Sequence, residues 1–262
     1  VVLAAGQNAN PLISRRAGIG HLRPLEGEQG TIGLLPRVSR VFRNGNASRL
    51  VRLQAAHVYV LISESMCRLP WKLVVEQALQ GGADVLQLRE KTLNDRELLR
   101  RARWMRDACL NANALFIVND RAEIAVASEA DGVHLGQEEL AAADARRILL
   151  PGQLLGVSTH NPDQVQQAFA EGADMIGVGP VFPSPTKSFD EFPGLQFVQS
   201  VAAATSQPWF AIGGISFDKL AAVISAGASR IAVASCVAGS EDPAGTVGEL
   251  KWLLQEKTTE PL

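Results

Sequence analysis

Eight short apolar runs, each followed by a helical pattern, recur along this chain, and their alternation is the feature that most limits its possible folds. The runs are HVYVLI, ADVLQLR, LFIVND, DGVHLG, LLGVST, DMIGVG, WFAIG and RIAVAS. Four segments, GGADVLQLR, EADGVHLG, EGADMIGVG and AGASRIAVAS, share one plan, in which a small helix-ending residue precedes an apolar strand that ends in polar residues. A strand–helix unit repeated in this way predicts a parallel sheet with helices covering its faces.

The number of units indicates how the sheet is closed. Helical patterns are predicted over residues 71–80, 95–110, 162–170, 217–225 and 243–254, with Asn94, Asn161 and Ser216 as N-caps. Eight units in residues 57–262 match an α/β fold of the (β/α)8 TIM-barrel type. An open doubly wound sheet is the alternative, but no GxGxxG motif follows the first strand.

Composition excludes several classes of protein. The formal net charge is -2 and 47% of residues are hydrophobic, so there is no global bias toward nucleic acid or membrane. The three cysteines, Cys67, Cys109 and Cys236, are scattered, which indicates a reduced, cytoplasmic location and argues against a structural zinc site. Small-molecule substrates are the expected partners, and a homo-oligomer is compatible with the sequence.

Residues 1–56 differ in kind from the rest of the chain. They contain eight arginines, no lysine and only two acidic residues, Glu26 and Glu28, and they show no sustained helical or strand period. We interpret them as a largely disordered N-terminal extension of a barrel domain at residues 57–262. An organelle transit peptide and the remainder of a second domain are the alternatives. Removal of residues 1–55 is therefore expected to leave a folded barrel.

Polar side chains follow the predicted strands at their carboxyl ends, where barrels of this type carry their active sites. They are Gln87, Arg89 and Lys91 after the second strand, Asn119 and Asp120 after the third, Gln137 and Glu139 after the fourth, Ser158 after the fifth, Ser184, Thr186 and Lys187 after the sixth, Gly213 and Gly214 after the seventh, and Ala234 and Ser235 after the eighth. Each alone could be a solvated loop residue. Their convergence from seven strands predicts a common site instead.

Two phosphate sites are expected within this ring. Gly213, Gly214, Ala234 and Ser235 follow strands seven and eight, where such barrels commonly bind a monophosphate through backbone N–H groups. A second group, called here the charged cluster, consists of Arg89, Lys91, Asn119, Asp120 and Glu139. Carboxylates beside cations suit a magnesium ion that bridges them to a more highly charged group such as a pyrophosphate.

The sixth strand is followed by a segment, residues 177–187, that combines glycines, three prolines, two hydroxyls and a cation. Glycine lets the backbone approach a ligand and proline stiffens the loop, so the segment suits a phosphate-binding role. A proline-rich surface turn with a solvated lysine is the alternative.

Taken together, these motifs resemble thiamine phosphate synthase over residues 57 to about 254. The resemblance is carried by QLREK (residues 87–91), ND (119–120), GVHLGQEE (132–139), GVST (156–159), GPVFPSPTK (179–187), GGI (213–215) and AS (234–235). Two positions depart from the family pattern, because Glu139 stands where Asp is usual and Ser184 where Thr is usual. Both replacements keep the required chemical group.

The resemblance implies a role for each matching residue. The pyrimidine diphosphate substrate would be held by Gln87, Leu88, Arg89, Glu90, Lys91, Asn119, Ser158 and Lys187, and the thiazole phosphate by Ser184, Pro185, Thr186, Gly214, Ala234 and Ser235. Asp120 and Glu139 would bind Mg²⁺, the implied cofactor. Arg89, Lys91 and Lys187 would be the catalytic cations that stabilise the departing pyrophosphate.

The implied reaction joins an aminopyrimidinylmethyl diphosphate to a thiazole phosphate, with or without a carboxyl group, and yields thiamine phosphate and pyrophosphate. The nucleophilic ring nitrogen carries no proton, so the bond-forming step needs no general base. We therefore interpret His134, which lies within the fourth strand, as structural. A thiazole tautomerase and a non-catalytic phosphate-binding protein are the alternatives. Neither of them accounts for the charged cluster.

Overall fold

Eight parallel strands form a closed barrel in the computed structural model, which describes residues 45–183 and 192–259. Each strand pairs with the next, and the eighth returns to the first through Val58 opposite Ile231. The strands are β1 Val58–Ile62, β2 Val85–Leu88, β3 Leu115–Asn119, β4 Gly132–Leu135, β5 Leu154–Thr159, β6 Met175–Val178, β7 Trp209–Ile212 and β8 Ile231–Val233. The predicted (β/α)8 barrel and its eight strands are confirmed.

Helices separate the strands. They are α1 Gly45–Ala55, α2 Trp71–Gln80, α3 Asp95–Asn111, α4 Ala122–Ala127, α5 Ala142–Ile148, α6 Pro162–Ala170, α7 Gly194–Ala204, α8 Phe217–Ser225, α9 Ser235–Ala238 and α10 Pro243–Thr259. Asn94 and Asn161 cap α3 and α6 through their side chains, as predicted, whereas Ser216 precedes α8 but bonds Asp218 instead. None of the helices in the described part is long and apolar enough to cross a membrane.

Side chains alternate across each strand, and this alternation separates two apolar layers. In β1, Val58 and Val60 face the helices, while Tyr59 and Leu61 face the barrel interior. The interior layer also receives Val85, Leu115, Ile117, Leu154, Met175, Phe210 and Ala232. Because successive side chains of a strand point to opposite faces, only every second residue of a strand reaches the space inside the barrel.

The repeated segments noted in the sequence have a structural role at the amino-terminal end of the barrel. Asp84, Asp131 and Asp174 each precede an even-numbered strand and accept a hydrogen bond from a backbone N–H at the start of the preceding strand. Each carboxylate is also paired with a cation: Lys251 with Asp84 at 2.7 Å, Arg49 with Asp131 at 2.7 Å, and Arg146 with Asp174. The repeat therefore provides a carboxylate that connects two adjacent strands by hydrogen bonding.

Helix α1 lies within the range that the sequence assigns to the disordered extension, so the structure differs from that expectation over Gly45–Ala55. The helix contacts the barrel because Leu53 is fully buried in the interior layer and Arg52 donates to the carbonyl of Ala114 at 3.2 Å. It belongs to the compact unit Arg40–Leu262. Residues 1–44 lie outside the described residues, and the expectation for them stays a prediction.

Replacement of Leu53 with alanine is expected to lower the free energy of unfolding by about 3 kcal/mol, because it leaves a cavity beneath the barrel. Leu50, on the same helix and 41% exposed, is the matched control. Its replacement with alanine should cost less than about 0.5 kcal/mol. Urea titrations of both variants measure the difference. Equal costs would mean that α1 does not stabilise the barrel, and that residues 1–55 are dispensable as first expected.

Candidate active site

A cavity opens at the carboxyl ends of the strands, and most residues predicted for the site line it. Those that do are Gln87, Arg89, Lys91, Asn119, Asp120, Glu139, Ser158, Gly214, Ala234 and Ser235. They come from β2, β3, β4, β5, β7 and β8 or from the residues that follow these strands. Ser184, Pro185, Thr186 and Lys187 lie outside the described residues, so their assignments stay predictions.

Two residues of the QLREK motif face away from the cavity. Leu88 is buried in the layer between strands and helices, and the Glu90 carboxylate bonds Arg101 of α3. In β2, strand alternation directs Gln87 to the cavity face and Leu88 to the layer between strands and helices. Glu90 follows the end of β2, and its ion pair with Arg101 holds its carboxylate away from the cavity. A direct contact of the Leu88 or Glu90 side chain with a ligand in the cavity is therefore not supported.

The charged cluster is assembled around Lys91. Its Nζ lies 3.1 Å from an Asp120 carboxylate oxygen and 3.6 Å from one of Glu139. The lysine side chain is 52% exposed, whereas those of Asp120 and Glu139 are only 19% and 25% exposed. Two carboxylates that approach one cation at the rim of a cavity form a region able to attract a second, more highly charged cation.

Backbone geometry fixes both carboxylates. Asp120 has a φ of 63°, a left-handed conformation that Asp tolerates better than most residues, and its N–H donates to the carbonyl of His134 at 2.8 Å. Gly136 makes room for the other carboxylate, because a Cβ at this position would lie 2.3 Å from Glu139 Oε2. A side chain at residue 136 would therefore displace the Glu139 carboxylate from its present position.

The opposite wall of the cavity is made of backbone. Gly214 has a φ of 61°, and a Cβ there would meet the carbonyl oxygen of Pro183 at 2.5 Å, so only glycine fits. Lys219 of α8 donates from Nζ to the carbonyl of Gly214 at 3.1 Å and lies over the ring of Phe182. In the eight-strand ring, β7 is four strands away from β3, so this wall faces the charged cluster across the barrel.

The floor of the cavity contains residues that the sequence reasoning did not identify. Tyr59, Met175 and Phe210 line it, and the Tyr59 ring packs edge-on against Phe210 with centroids 5.2 Å apart. These residues lie within strands rather than at strand ends, so a search for polar strand-end residues missed them. The sequence signal that could have identified them is the alternation of side chains along each strand, which places Tyr59 on the same inward face as Leu61.

Polar groups above this floor retain hydrogen-bonding capacity. Gln87 Nε2 donates to the Tyr59 hydroxyl at 2.7 Å, and His134 Nε2 lies 3.0 Å from the Ser158 hydroxyl. Gln87 Oε1 and His134 Nδ1 are buried and bond to nothing among the described residues. Buried polar atoms normally have partners, so the free oxygen of Gln87 is suited to a ligand that carries an N–H donor.

Burial lowers the pKa of His134 to about 4, so the imidazole is neutral near pH 7. A neutral ring hydrogen-bonded to Ser158 shapes the cavity without carrying a charge, as the sequence predicts for a structural histidine. Burial also raises the pKa of the Tyr59 hydroxyl, and the hydrogen bond from Gln87 offsets this only in part. Both groups therefore act as neutral polar surfaces.

Protonation of His134 should make stability depend on pH. The unfolded chain binds more protons than the folded chain between the folded pKa of about 4 and the unfolded value of 6.5, so stability decreases as pH falls through this window. From about pH 7.5 to about pH 5, the native chain should lose about 2 kcal/mol more unfolding free energy than His134→Gln. Urea titrations at both pH values test this. Identical pH dependence in the two proteins would contradict it.

Comparison with known proteins agrees with this geometry. The family model described as thiamine monophosphate synthase matches residues 58–237, from β1 to α9. The chain belongs to the thiamine monophosphate synthase family. The matched range includes all the cavity residues named above.

Individual members of the thiamine monophosphate synthase family show the extent of the similarity. The chain is 43% identical over 204 residues to a thiamine-phosphate synthase of Synechocystis sp.. The aligned region covers 78% of this chain and 59% of the Synechocystis protein. The chain is 46% identical over 191 residues to a thiamine-phosphate synthase of Nostoc sp., and this alignment covers 73% of this chain and 54% of the Nostoc protein. The chain thus spans little more than half the length of these curated relatives.

Solved structures are also similar to this chain. Thiamine phosphate pyrophosphorylase from Pyrococcus furiosus is 32% identical to this chain, with a TM-score of 0.71, and the match covers 79% of this chain and 98% of that one. A 3-hexulose-6-phosphate synthase structure, 19% identical with a TM-score of 0.55, shares the fold. The match to the Pyrococcus furiosus protein therefore spans nearly the whole of that solved chain.

Proposed function

We propose that this chain is a thiamine phosphate synthase, which joins an aminopyrimidinylmethyl diphosphate to a thiazole phosphate and releases pyrophosphate. One observation carries the proposal: a cavity with a cation between two carboxylates on one side and a glycine-built backbone wall on the other. Family membership, with 32% identity to a pyrophosphorylase over 98% of that chain, supports the same activity.

The pyrimidine diphosphate is assigned to the side of the cavity formed by β2 to β5. Arg89 and Lys91 supply positive charge for the phosphates, and Asn119 and Ser158 line the cavity beside them. The aminopyrimidine ring is assigned to the space above Tyr59 and Phe210, where the free Gln87 Oε1 would accept a hydrogen bond from the exocyclic amine. Lys187, outside the described residues, is proposed as a further cation for the pyrophosphate.

Asp120 and Glu139 are proposed to hold Mg²⁺. The structural observation that tests the fit is the position of Lys91 Nζ, which brings the two carboxylates to one cation, with space beside Glu139 kept by Gly136. Mg²⁺ typically binds one or two carboxylates together with substrate phosphates and water, so this donor set fits. When bound, the ion would supply charge neutralisation for the pyrophosphate leaving group.

The thiazole phosphate is assigned to the wall formed by Gly214, Ala234 and Ser235, with Ser184, Pro185 and Thr186 proposed to complete the site. Backbone N–H groups at this position in barrels commonly bind a phosphate. The two substrates would then face each other across the barrel, because β3 and β7 are four strands apart in the ring.

Electrostatics and positioning are the proposed means of catalysis. The thiazole ring nitrogen donates its electron pair to the methylene carbon of the pyrimidine, and the bond from that carbon to the pyrophosphate oxygen breaks with its pair. No proton moves at this step, which agrees with a neutral His134. Arg89, Lys91 and Lys187 stabilise the charge that develops on pyrophosphate, which is the largest expected contribution to the rate.

Two alternative activities predict different outcomes in one assay. The 262-residue chain is incubated with Mg²⁺ and both substrates, and pyrophosphate release is measured; each substrate is then omitted in turn. A synthase releases pyrophosphate only when both are present. A tautomerase would isomerise the thiazole without the diphosphate, and a binding protein would turn over neither. Pyrophosphate release that does not require thiazole phosphate would also contradict the proposal.

Glu139 stands at a position where Asp is usual in the thiamine phosphate synthase pattern, and this difference leads to a further prediction. We expect Glu139→Asp to retain turnover within about threefold, because the carboxylate is kept, and Glu139→Ala to lose about tenfold or more, because the second carboxylate is gone. Steady-state rates as a function of Mg²⁺ concentration measure both. If Glu139→Ala has the native Mg²⁺ dependence, Glu139 is not part of the metal site.

A cytoplasmic location is proposed together with this activity. Cys67, Cys109 and Cys236 are all free thiols, and burial is the main cause that raises the pKa of each. Such thiols suit a reducing compartment. Small phosphorylated molecules, rather than nucleic acid or membrane, are the proposed partners.

A further inference from the structure

An ion-pair network behind the cavity wall connects the QLREK motif to α3 and to the segment that follows β1. At its centre is Arg101 of α3, whose side chain is only 9% exposed. Its guanidinium bonds three carboxylates from three parts of the chain: Glu64 at 2.6 Å, Glu90 at 3.3 Å and Glu97 at 3.0 Å. We propose that Arg101 and Glu90 are positioning residues that orient Arg89 and Lys91 toward the diphosphate, an inference that rests on the proposed function.

Glu90 lies between two cations of the cavity but faces away from it. Arg89 and Lys91 line the cavity on either side of it, whereas Glu90 points to the opposite face, with a side chain that is 8% exposed. The Glu90 carboxylate also accepts a hydrogen bond from the backbone N–H of Glu64 at 2.7 Å. A rotation of the backbone at Glu90 would break these bonds and turn both neighbouring cations away from the cavity.

Aromatic rings surround Arg101 and limit its motion. Its guanidinium lies 5.0 Å from the centre of the Trp71 ring, and Trp104 packs edge-on against Trp71. A planar guanidinium that stacks on an aromatic ring and bonds several carboxylates has little freedom to move. Arg101 therefore forms a rigid support, whereas Lys91, which it positions through Glu90, is half-exposed.

A purely structural role for this network is the alternative, and it predicts a different kinetic pattern. Loss of a structural ion pair would reduce the amount of folded enzyme without changing the apparent affinity for either substrate. Loss of a positioning residue would instead affect the diphosphate selectively, because Arg89 and Lys91 are assigned to that substrate. Misplacement of catalytic groups by about 1 Å costs about 10²-fold in rate.

Arg101→Met is the test variant, and Arg103→Met is the matched control. Arg103 lies on the same helix, is exposed, and donates to the carbonyl of Ala127 at 3.5 Å rather than to a carboxylate of this network. We expect Arg101→Met to lower kcat/KM for the diphosphate by about 30-fold and to leave KM for the thiazole phosphate within about twofold. The control should change neither constant by more than about twofold.

A double-mutant cycle with Lys91→Ala separates positioning from an independent effect. If Arg101 acts through the cations beside Glu90, its replacement should cost only about fivefold in the Lys91→Ala background, since Arg89 alone remains to be displaced. The same cost in both backgrounds, or an unchanged kcat/KM after Arg101→Met, would overturn the inference.

If Arg101→Met does not fold, Glu90→Gln takes its place, because glutamine keeps the shape of the side chain. We expect this variant to lower kcat/KM for the diphosphate by about tenfold. Absence of turnover in the native chain would instead contradict the proposed function.

Discussion

Lys91→Ala is expected to lower kcat by about 10²- to 10³-fold, which corresponds to about 3 to 4 kcal/mol of transition-state stabilisation. The physical reason is the position of Lys91 Nζ at the cavity rim, within 3.1 Å of Asp120, where it would stabilise charge that develops only as pyrophosphate leaves. Because this charge is smaller in the bound diphosphate, KM should change much less than kcat. Steady-state kinetics at saturating Mg²⁺ measures both constants.

Lys72→Ala is the control for this prediction. Lys72 lies on α2 with its Nζ 5.0 Å from the Trp104 ring and does not line the cavity. Its replacement removes the same charge from the protein and should leave kcat within about twofold. A raised KM with unchanged kcat in Lys91→Ala would assign this lysine to substrate binding alone. Unchanged values of both constants would remove it from the site.

Asp120→Asn is expected to lower turnover by about 10³-fold and to raise the Mg²⁺ concentration for half-maximal activity by about tenfold or more. Asparagine is chosen because it tolerates the left-handed backbone conformation at φ 63° as well as aspartate does, so the turn should persist while one negative oxygen is lost. Activity is measured as a function of Mg²⁺ concentration, and circular dichroism verifies the fold.

Asp144→Asn serves as the control for the loss of a carboxylate. Asp144 lies on α5 with a side chain that is 57% exposed, and it pairs only weakly with Arg147 at 3.6 Å. Its replacement should leave the Mg²⁺ dependence unchanged. Undiminished turnover of the native chain in EDTA would rule out the metal assignment of both Asp120 and Glu139.

Much of the fold could be predicted because the sequence signals are local and repeated. The apolar runs and helix caps are read from neighbouring residues, and the structure confirms the eight strands and the closed barrel. Helix α1 was not predicted because its stability comes from a distant contact. Its burial of Leu53 against the barrel interior depends on the closed barrel, which no local pattern in residues 45–55 displays.

The site was predictable where strand ends supply its residues. Ten of the proposed substrate and metal residues line one cavity because the barrel brings all carboxyl strand ends together. Leu88 and Glu90 were included only because they lie within a contiguous motif. Strand alternation directs Leu88 away from the cavity, and the ion pair with Arg101 does the same for Glu90. Tyr59 and Phe210 were missed because an aromatic residue within a strand resembles ordinary core until the barrel interior is known.

Phosphorus NMR of a single reaction mixture tests the proposed synthase activity, because it follows both substrates and both products at once. The 262-residue chain is mixed with Mg²⁺, the aminopyrimidinylmethyl diphosphate and thiazole phosphate. We expect the diphosphate and thiazole phosphate signals to decrease together, and pyrophosphate and thiamine phosphate to appear in equal amounts. A diphosphate signal that persists, or that is converted to pyrophosphate while thiazole phosphate remains unchanged, would contradict the proposed activity.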